Sequence, residues 1–509
     1  MSDLKDSMRG LSIRDVIDRN AREKPTGVFL VDPRRDTALS WASLKQDALK
    51  VEQFILQQGV KRGESVAYAM TNGEDAARII LGIMYGGFLA TSVNLVSGKS
   101  TISYVLEHSE AKLVFVQDET ENLVLEANDQ IQRTVIDPIF FNAQLNPSSE
   151  TQISETSDGL LMYTSGTTGR PKGVVLTHKA LLSGGLNTAI AHELSSNDRA
   201  LCVLPLYHIN GFCVTVMGPL VSGGSVVMPK KFSVKSFWSW VKDQKCSWFS
   251  VVPTQISYLL HDETGQTGSR DSYSNLRFGR SASAPLSPDV QQAFETRFNV
   301  PIIETMGLTE TAAQILSNPL PPGVRKVGSP GVAMGNEVII GDETQTQCAP
   351  NVEGEVLVRG ENLMRVYLKN EQATRDSLTA SGWLRTGDLG RMDEDGYIYI
   401  TGRLKELIIK GGENIAPREI DDALYSHPKI IEAAAFAQPC KQYGQRVEAA
   451  VVVEANSGLT EADLFALCCD QLGKFKTPDC IHFLDELPKG PSGKIQRNKI
   501  ADVLIGMKE

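Results

Sequence analysis

Nowhere does the chain string together the roughly 18 uncharged apolar residues that a helix needs to cross a bilayer, so no membrane-spanning segment and no membrane partner are expected. It also lacks a surplus of positive charge: 51 Lys and Arg stand against 61 Asp and Glu, for a formal charge of -10. Displacing counterions from nucleic-acid phosphates needs the opposite balance, so no nucleic-acid partner is expected and anionic ligands must be met by local cations. The eight cysteines, Cys202, Cys213, Cys246, Cys348, Cys440, Cys468, Cys469 and Cys480, show neither the paired spacing of a zinc site nor that of a disulfide framework. Reduced, mostly buried thiols are predicted. Met1 to Gly10 carries Asp3, Lys5, Asp6 and Arg9 with no apolar stretch behind it, unlike a secretory signal, and Gly506-Met507-Lys508-Glu509 is no peroxisomal tripeptide. A cytoplasmic location is the expectation.

At 509 residues the chain exceeds one ordinary core, which predicts at least two domains. From about Leu11 to Gln152 helical stretches such as Ala77 to Met84 alternate with strand-like runs such as Lys112 to Val116. Ala200 to Leu204, Ser225 to Met228, Trp248 to Val252 and Pro301 to Ile303 continue this α/β alternation as short apolar runs, the pattern of parallel strands covered on both faces. After Gly328 short strands separated by Gly, Asp and Glu turns predict a small β-rich unit: Val338 to Ile340, Glu355 to Arg359, Trp383 to Arg385 and Tyr397 to Thr401. Beyond Arg403 a helix over Pro417 to Ser426, strands over Glu432 to Phe436 and Glu448 to Val453, and a helix over Thr460 to Leu472 predict a separate α+β domain. The polar stretch Asp262 to Ser274 reads as a surface loop.

The strongest chemical signal is Tyr163-Thr164-Ser165-Gly166-Thr167-Thr168-Gly169-Arg170-Pro171-Lys172-Gly173, directly after the apolar run Leu160-Leu161-Met162. Glycines let backbone N–H groups approach a polyphosphate, hydroxyls add donors, and Lys172 can offset charge. The spacing is not that of a Walker A loop. A plain Ser/Thr/Gly turn would not need this interleaving closed by Pro-Lys-Gly.

This segment resembles the phosphate-binding loop of the adenylate-forming superfamily, which includes acyl-CoA synthetases, luciferases and peptide-synthetase adenylation domains. Further segments resemble the family's in the expected order. Met306-Gly307-Leu308-Thr309-Glu310, preceded by Glu304 and Thr305, is similar to the second nucleotide segment, in which the Thr contacts the α-phosphate and the Glu holds Mg²⁺. Thr386-Gly387-Asp388 is similar to the T-G-D whose Asp accepts from ribose hydroxyls. Gly402-Arg403-Leu404-Lys405-Glu406 resembles the interdomain junction, implying that Arg403 reaches ribose or phosphate and that Lys405 is the hinge. Lys410-Gly411-Gly412 looks like the loop presented during thioester formation, and Pro488-Lys489-Gly490-Pro491-Ser492-Gly493-Lys494 looks like the last motif. Lys494 is assigned the catalytic role and Lys489 is left as a surface charge.

The resemblance implies an α/β multidomain fold: a large N-terminal domain of two α/β subdomains plus a small β-barrel-like unit over residues 1–402, a hinge at 403–405, and a mobile α+β C-terminal domain over 406–509. It implies an AMP-forming acid–thiol ligase using ATP, Mg²⁺ and coenzyme A, with room for a homodimer. In Leu204-Pro205-Leu206-Tyr207-His208-Ile209-Asn210 it places His208 and Asn210 beside the substrate carboxylate, with Gly307 nearby. Met306 stands where an aromatic residue usually stacks on adenine. Arg280-Ser281-Ala282-Ser283-Ala284-Pro285 would line the adenine and acyl sites, Ser283 and Ala284 on the nucleotide side. Arg280 is expected to grip a second anionic group of a short acid, or else to be paired with a nearby Asp or Glu. Arg280-Ser281 and Ser317-Asn318-Pro319-Leu320-Pro321 look like oxalate-CoA ligases, so oxalate, malonate or sulfoacetate is the expected class of acid. Fatty or aromatic acids, or loading of a carrier protein, remain alternatives.

Overall fold

The computed structural model describes residues 2–136, 140–142, 151–164, 170–262, 273–490 and 493–506. Ser165, Gly166, Thr167, Thr168 and Gly169 lie outside the described residues, as do Pro491, Ser492 and most of the expected loop between Asp262 and Ser274.

The apolar runs form two large sheets. In the nine-stranded sheet, Ile302–Leu308, Phe278–Ser281, Trp248–Val251, Arg199–Cys202, Ser225–Val227 and Val28–Asp32 lie side by side and parallel. Trp248–Val251 and Ser225–Val227 are buried along their whole length and Arg199–Cys202 beyond its first residue, which explains why apolar residues run together there rather than alternating. The seven-stranded sheet has Leu89–Ser92, Ser65–Ala69, Leu113–Val116 and Gln132–Val135 in parallel, and Asp158–Thr164 turns back antiparallel onto Lys172–Thr177. The helices Glu74–Tyr85 and His178–Ala191 and the π-helical turn Asn210–Met217 pack between the sheets, so both share one core. Contact there is close: a Cβ on Gly184 would stand 2.2 Å from the Ala312 carbonyl oxygen.

The small β unit is a four-stranded antiparallel sheet in the order Glu337–Gly341, Gly354–Arg359, Leu384–Met392, Ile398–Arg403. The third strand is longer than the sequence suggested, so Thr386-Gly387-Asp388 lies within it rather than at its end. The C-terminal domain wraps the helices Pro417–Tyr425 and Glu461–Lys476 against the long hairpin Ile430–Cys440 and Gly444–Val453. That second helix runs past Leu472 and breaks at Gly473, where φ is 74°. Four cysteines are buried and four partly exposed, all of them free, so burial of the thiols is less general than expected. Among the described residues no helix is long and apolar enough to cross a membrane.

Candidate active site

Loops at the carboxyl ends of parallel strands converge where the ends of the sheet open, which is where ligands bind in such folds. Here those loops form one wall of a cleft of about 490 Å³, closed on the other side by the C-terminal domain. His208 comes from the loop after Arg199–Cys202, Thr254 follows Trp248–Val251, and Ser283 and Ala284 follow Phe278–Ser281. The strand Ile302–Leu308 contributes Glu304, Thr305, Met306 and Gly307. Gly307 cannot be larger, since its Cβ would lie 1.6 Å from the Ala313 carbonyl oxygen on the neighbouring strand. Ser283 holds φ at 75°, a conformation that non-glycine residues adopt at a cost of ~1–3 kcal/mol and that is concentrated at ligand sites.

Asp388 and Arg403 face one another across the ladder of the small β unit, and the Arg403 Nε donates to Asp388 Oδ1 at 2.7 Å. Lys405 follows in the turn to the C-terminal domain and also lines the cleft. Lys494 enters from the far side, in a turn whose Gly490 N–H donates to the Lys494 carbonyl at 2.7 Å. Thr254 Oγ1, on the N-terminal side of the seam, donates to the Gly493 carbonyl at 3.2 Å and so fixes that turn over the cleft. Burial, then the neighbouring Arg403, brings the Lys494 ammonium down to about 8, with Glu406 and Asp388 pulling the other way. Desolvation takes the His208 imidazole down to about 4, leaving it neutral near pH 7.

Buried polar atoms are nearly always hydrogen-bonded, so those without a partner that also line a cleft are candidates to meet a ligand. Four such atoms belong to residues lining this cleft: Asp388 Oδ2, Glu304 Oε2, His208 Nε2 and Ser287 Oγ. Desolvation raises the Asp388 carboxyl, against the pull of Arg403 and Lys494.

A second cluster lies alongside. Thr309 heads the short turn Thr309–Thr311, and Glu310 Oε1 accepts the Tyr367 hydroxyl at 2.7 Å. The Lys172 ammonium sits 4.9 Å from the centroid of the same Tyr367 ring. Thr164 and Lys172 pair across the hairpin, which puts Thr164 near this cluster as well. Tyr367 was not legible as a partner, because no local pattern links it to Glu310.

Arg280 is not where a direct grip would need it. It is 1% exposed, and its guanidinium donates to Asn210 Oδ1 at 2.7 Å, Ser250 Oγ at 3.0 Å and, through Nε and Nη2, Gln314 Oε1 at 3.3 Å. Neither is it paired with an Asp or Glu: among the described residues no carboxylate lies within ion-pairing distance. Burial pulls it down to about 9, so it remains a cation near pH 7. Asn210 Nδ2 donates in turn to Ser283 Oγ at 3.1 Å, linking the guanidinium to the cleft wall.

With Lys494 in the cleft, Lys410, Gly411 and Gly412 lie away from it, as a loop presented only during thioester formation would: the Lys410 ammonium donates to the Phe475 carbonyl at 3.1 Å and pairs with Asp479 at 3.3 Å. One expected placement differs. Lys489 is no free surface charge. It pairs at 2.8 Å with Glu432, a 1% exposed carboxylate that also accepts the Tyr258 hydroxyl at 2.7 Å across the domain seam.

Residues 17–368 match the AMP-binding enzyme family, and residues 419–494 match the AMP-binding enzyme C-terminal domain. The chain belongs to the AMP-binding enzyme family. It is 44% identical over 493 residues to a sulfoacetate–CoA ligase of Cupriavidus necator, covering 94% of this chain and 95% of the relative. It is 33% identical over 470 residues to an oxalate–CoA ligase of Arabidopsis thaliana, covering 88% and 90%. The fold superposes on ATP-bound MatB from Rhodopseudomonas palustris with a TM-score of 0.89 at 25% identity, covering 98% of this chain and 100% of that one. The family resemblance drawn from the loop and the later segments therefore holds, and the fold is the one that the resemblance implied.

Proposed function

We propose that this enzyme activates a small carboxylic acid carrying a second anionic group, using ATP to form an acyl-adenylate and pyrophosphate, and then transfers the acyl group to coenzyme A. The observation that carries this is the cleft where Lys494 meets Asp388 and a set of buried polar atoms without partners. Asp388 Oδ2 is the acceptor for a ribose hydroxyl, with Arg403 orienting the carboxylate through Oδ1. Lys494 bridges the attacking carboxylate and the α-phosphate as charge builds up in the transition state. A bond forms from the acid's oxygen to the α-phosphorus, and the bond to the pyrophosphate oxygen breaks. Neutral His208 donates to the acid without adding charge. Thr309 contacts the α-phosphate, while Thr164, the Ser165–Gly169 segment and Lys172 hold the outer phosphates.

Glu310 would hold Mg²⁺, its carboxylate steadied by the Tyr367 hydroxyl. No cluster of three His, Cys, Asp or Glu exists among the described residues, and a hard cation that keeps most of its waters needs one carboxylate beside a polyphosphate. When bound it offsets phosphate charge; Glu310 and Tyr367 fix where it is held.

Residues 1–402 act as the body, 403–405 as the hinge and 406–509 as the lid. After adenylation the lid turns about Lys405, withdraws Lys494 and brings the Lys410–Gly412 turn to the cleft, where its glycines admit the pantetheine arm. The thiolate then attacks the acyl carbon and AMP leaves. The products test this: AMP, pyrophosphate and the acyl-CoA thioester should form in equal amounts, each dependent on acid and ATP. Formation of ADP and phosphate instead would overturn it.

A pH dependence follows from Lys494. The cation is the working form, so kcat/KM for ATP in pyrophosphate release should hold below pH 8 and fall as pH rises through about 8, the value to which burial and Arg403 bring this ammonium. A profile flat to pH 9.5 would contradict the role.

A further inference from the structure

One short helix of the body carries three side-chain bonds to the lid. Pro253–Leu260 begins on a proline, whose fixed φ suits the first helical position, and buries Ile256 and Leu259 in the core that also holds Phe249 and Val251. Residues three and four apart share a face of a helix, and Thr254, Ser257 and Tyr258 all face the lid. Thr254 Oγ1 donates to the Gly493 carbonyl at 3.2 Å, Ser257 Oγ to the Ile431 carbonyl at 2.7 Å, and the Tyr258 hydroxyl to Glu432 Oε1 at 2.7 Å.

Glu432 is 1% exposed and divides its two oxygens between the domains. Oε1 meets Tyr258 of the body, while Oε2 accepts the Lys489 ammonium at 2.8 Å and the Leu487 N–H at 3.3 Å, both within the lid. Lys489 stands at the root of the turn that bears Lys494: it pairs antiparallel with Ile495, and the Gly490 N–H closes the turn on the Lys494 carbonyl. One carboxylate thus joins the body helix to the segment that aims the adenylating lysine. Burial, then Glu432, raises the Tyr258 phenol, so the hydroxyl stays protonated as the donor.

We propose that Tyr258 is a positioning residue for adenylation, acting through Glu432 and Lys489 to hold Lys494 over the cleft, with Thr254 and Ser257 supporting it from the same helix face. This rests on the reading in which the lid turns between the two half-reactions. The three bonds cross the seam, so a turn of the lid breaks them and returns Glu432 Oε1 to water. Removing the Tyr258 hydroxyl leaves that oxygen buried without a partner in the adenylating orientation alone. A buried charged acceptor stripped of its donor costs more than a bond lost to water, so the balance should move away from that orientation by about tenfold or more. The helix is not the whole seam: Arg418 of the lid also donates to the carbonyls of Ile400 and, at 3.3 Å, Gly328. Adenylation is therefore slowed rather than abolished.

Each half-reaction draws only on the molecules in its own orientation. The ratio of the two rates therefore follows the equilibrium between the orientations, wherever that equilibrium starts. A change that merely loosens the fold lowers both rates together and leaves the ratio alone.

The test measures, in the full-length enzyme, single-turnover pyrophosphate release without coenzyme A and thioester formation from a supplied acyl-adenylate with coenzyme A. The acid is whichever of oxalate, malonate, sulfoacetate, acetate, hexanoate and benzoate the wild type turns over fastest. Tyr258→Phe should lower the ratio of the first rate to the second by about tenfold or more, and Ser257→Ala should lower it by about threefold, as suits a neutral bond. An unchanged ratio in Tyr258→Phe, or a shift toward adenylation, would overturn the proposal. Should that variant fail to fold, Ser257→Ala decides by the same ratio. Lys494→Ala in the same two assays separates this proposal from the reading beneath it. If Lys494→Ala slows both halves alike, the turning lid itself falls; if it slows only the first while Tyr258→Phe leaves the ratio unchanged, Tyr258 alone is excluded.

Discussion

Lys494→Ala should lower ATP- and acid-dependent pyrophosphate release by about 100- to 1,000-fold, the usual loss when one aligned stabiliser of transition-state charge is removed. Transfer of a supplied acyl-adenylate to coenzyme A should stay near the wild-type rate, because the proposed turn of the lid withdraws Lys494 in that half of the reaction. The split separates a catalytic role from a structural one. The ammonium makes none of the hydrogen bonds found among the described residues and sits where burial and Arg403 disfavour its charge, so alanine relieves a cost rather than breaking a contact. Measuring the two halves separately checks this. An equal loss in both would mean that Lys494 holds the domains together instead of serving adenylation.

Arg280→Met should raise KM for a doubly charged acid by about 30-fold while leaving a neutral acid of similar size within about threefold. At an effective dielectric of ~20, two unit charges ~7 Å apart attract by ~2 kcal/mol, which corresponds to that factor. The guanidinium acts through Asn210 and Ser283 and through its field, since Asn210, Ser250 and Gln314 already occupy most of its donors. Methionine keeps the length but removes the charge. It leaves the neutral acceptors without their donor, at ~1–3 kcal/mol for an unsatisfied group, so a lower melting temperature is expected as well. Kinetics well below that temperature, on paired acids, separate the two effects. Equal increases in KM for both acids would exclude Arg280 from substrate choice.

Much of the cleft was legible because its parts are local strings with fixed spacing. Met306, Asp388, Arg403 and Lys494 could each be read from a few neighbouring residues, and the sheets bring all four together. What could not be read depends on topology. Glu310 meets Tyr367, and Glu432 meets both Tyr258 and Lys489, across separations of tens to hundreds of residues that no local pattern encodes. The surroundings of Arg280 were misjudged for the same reason. A buried arginine is expected to find a carboxylate, yet Phe278–Ser281 lies beside a strand that offers Ser250, and elements distant in the chain on either side bring Asn210 and Gln314. Strand ends were also underread: Leu384–Met392 continues through Gly387, which takes the register shift of the ladder at a φ of 73°, and through Gly390, which is paired on both sides.

The most direct measurement is kcat/KM for acid-dependent thioester formation with ATP and coenzyme A across oxalate, malonate, sulfoacetate, acetate, hexanoate and benzoate. A clear preference for one of the three doubly charged acids is the predicted result. A preference for hexanoate or benzoate would leave the adenylating machinery in place and contradict the small, doubly anionic substrate.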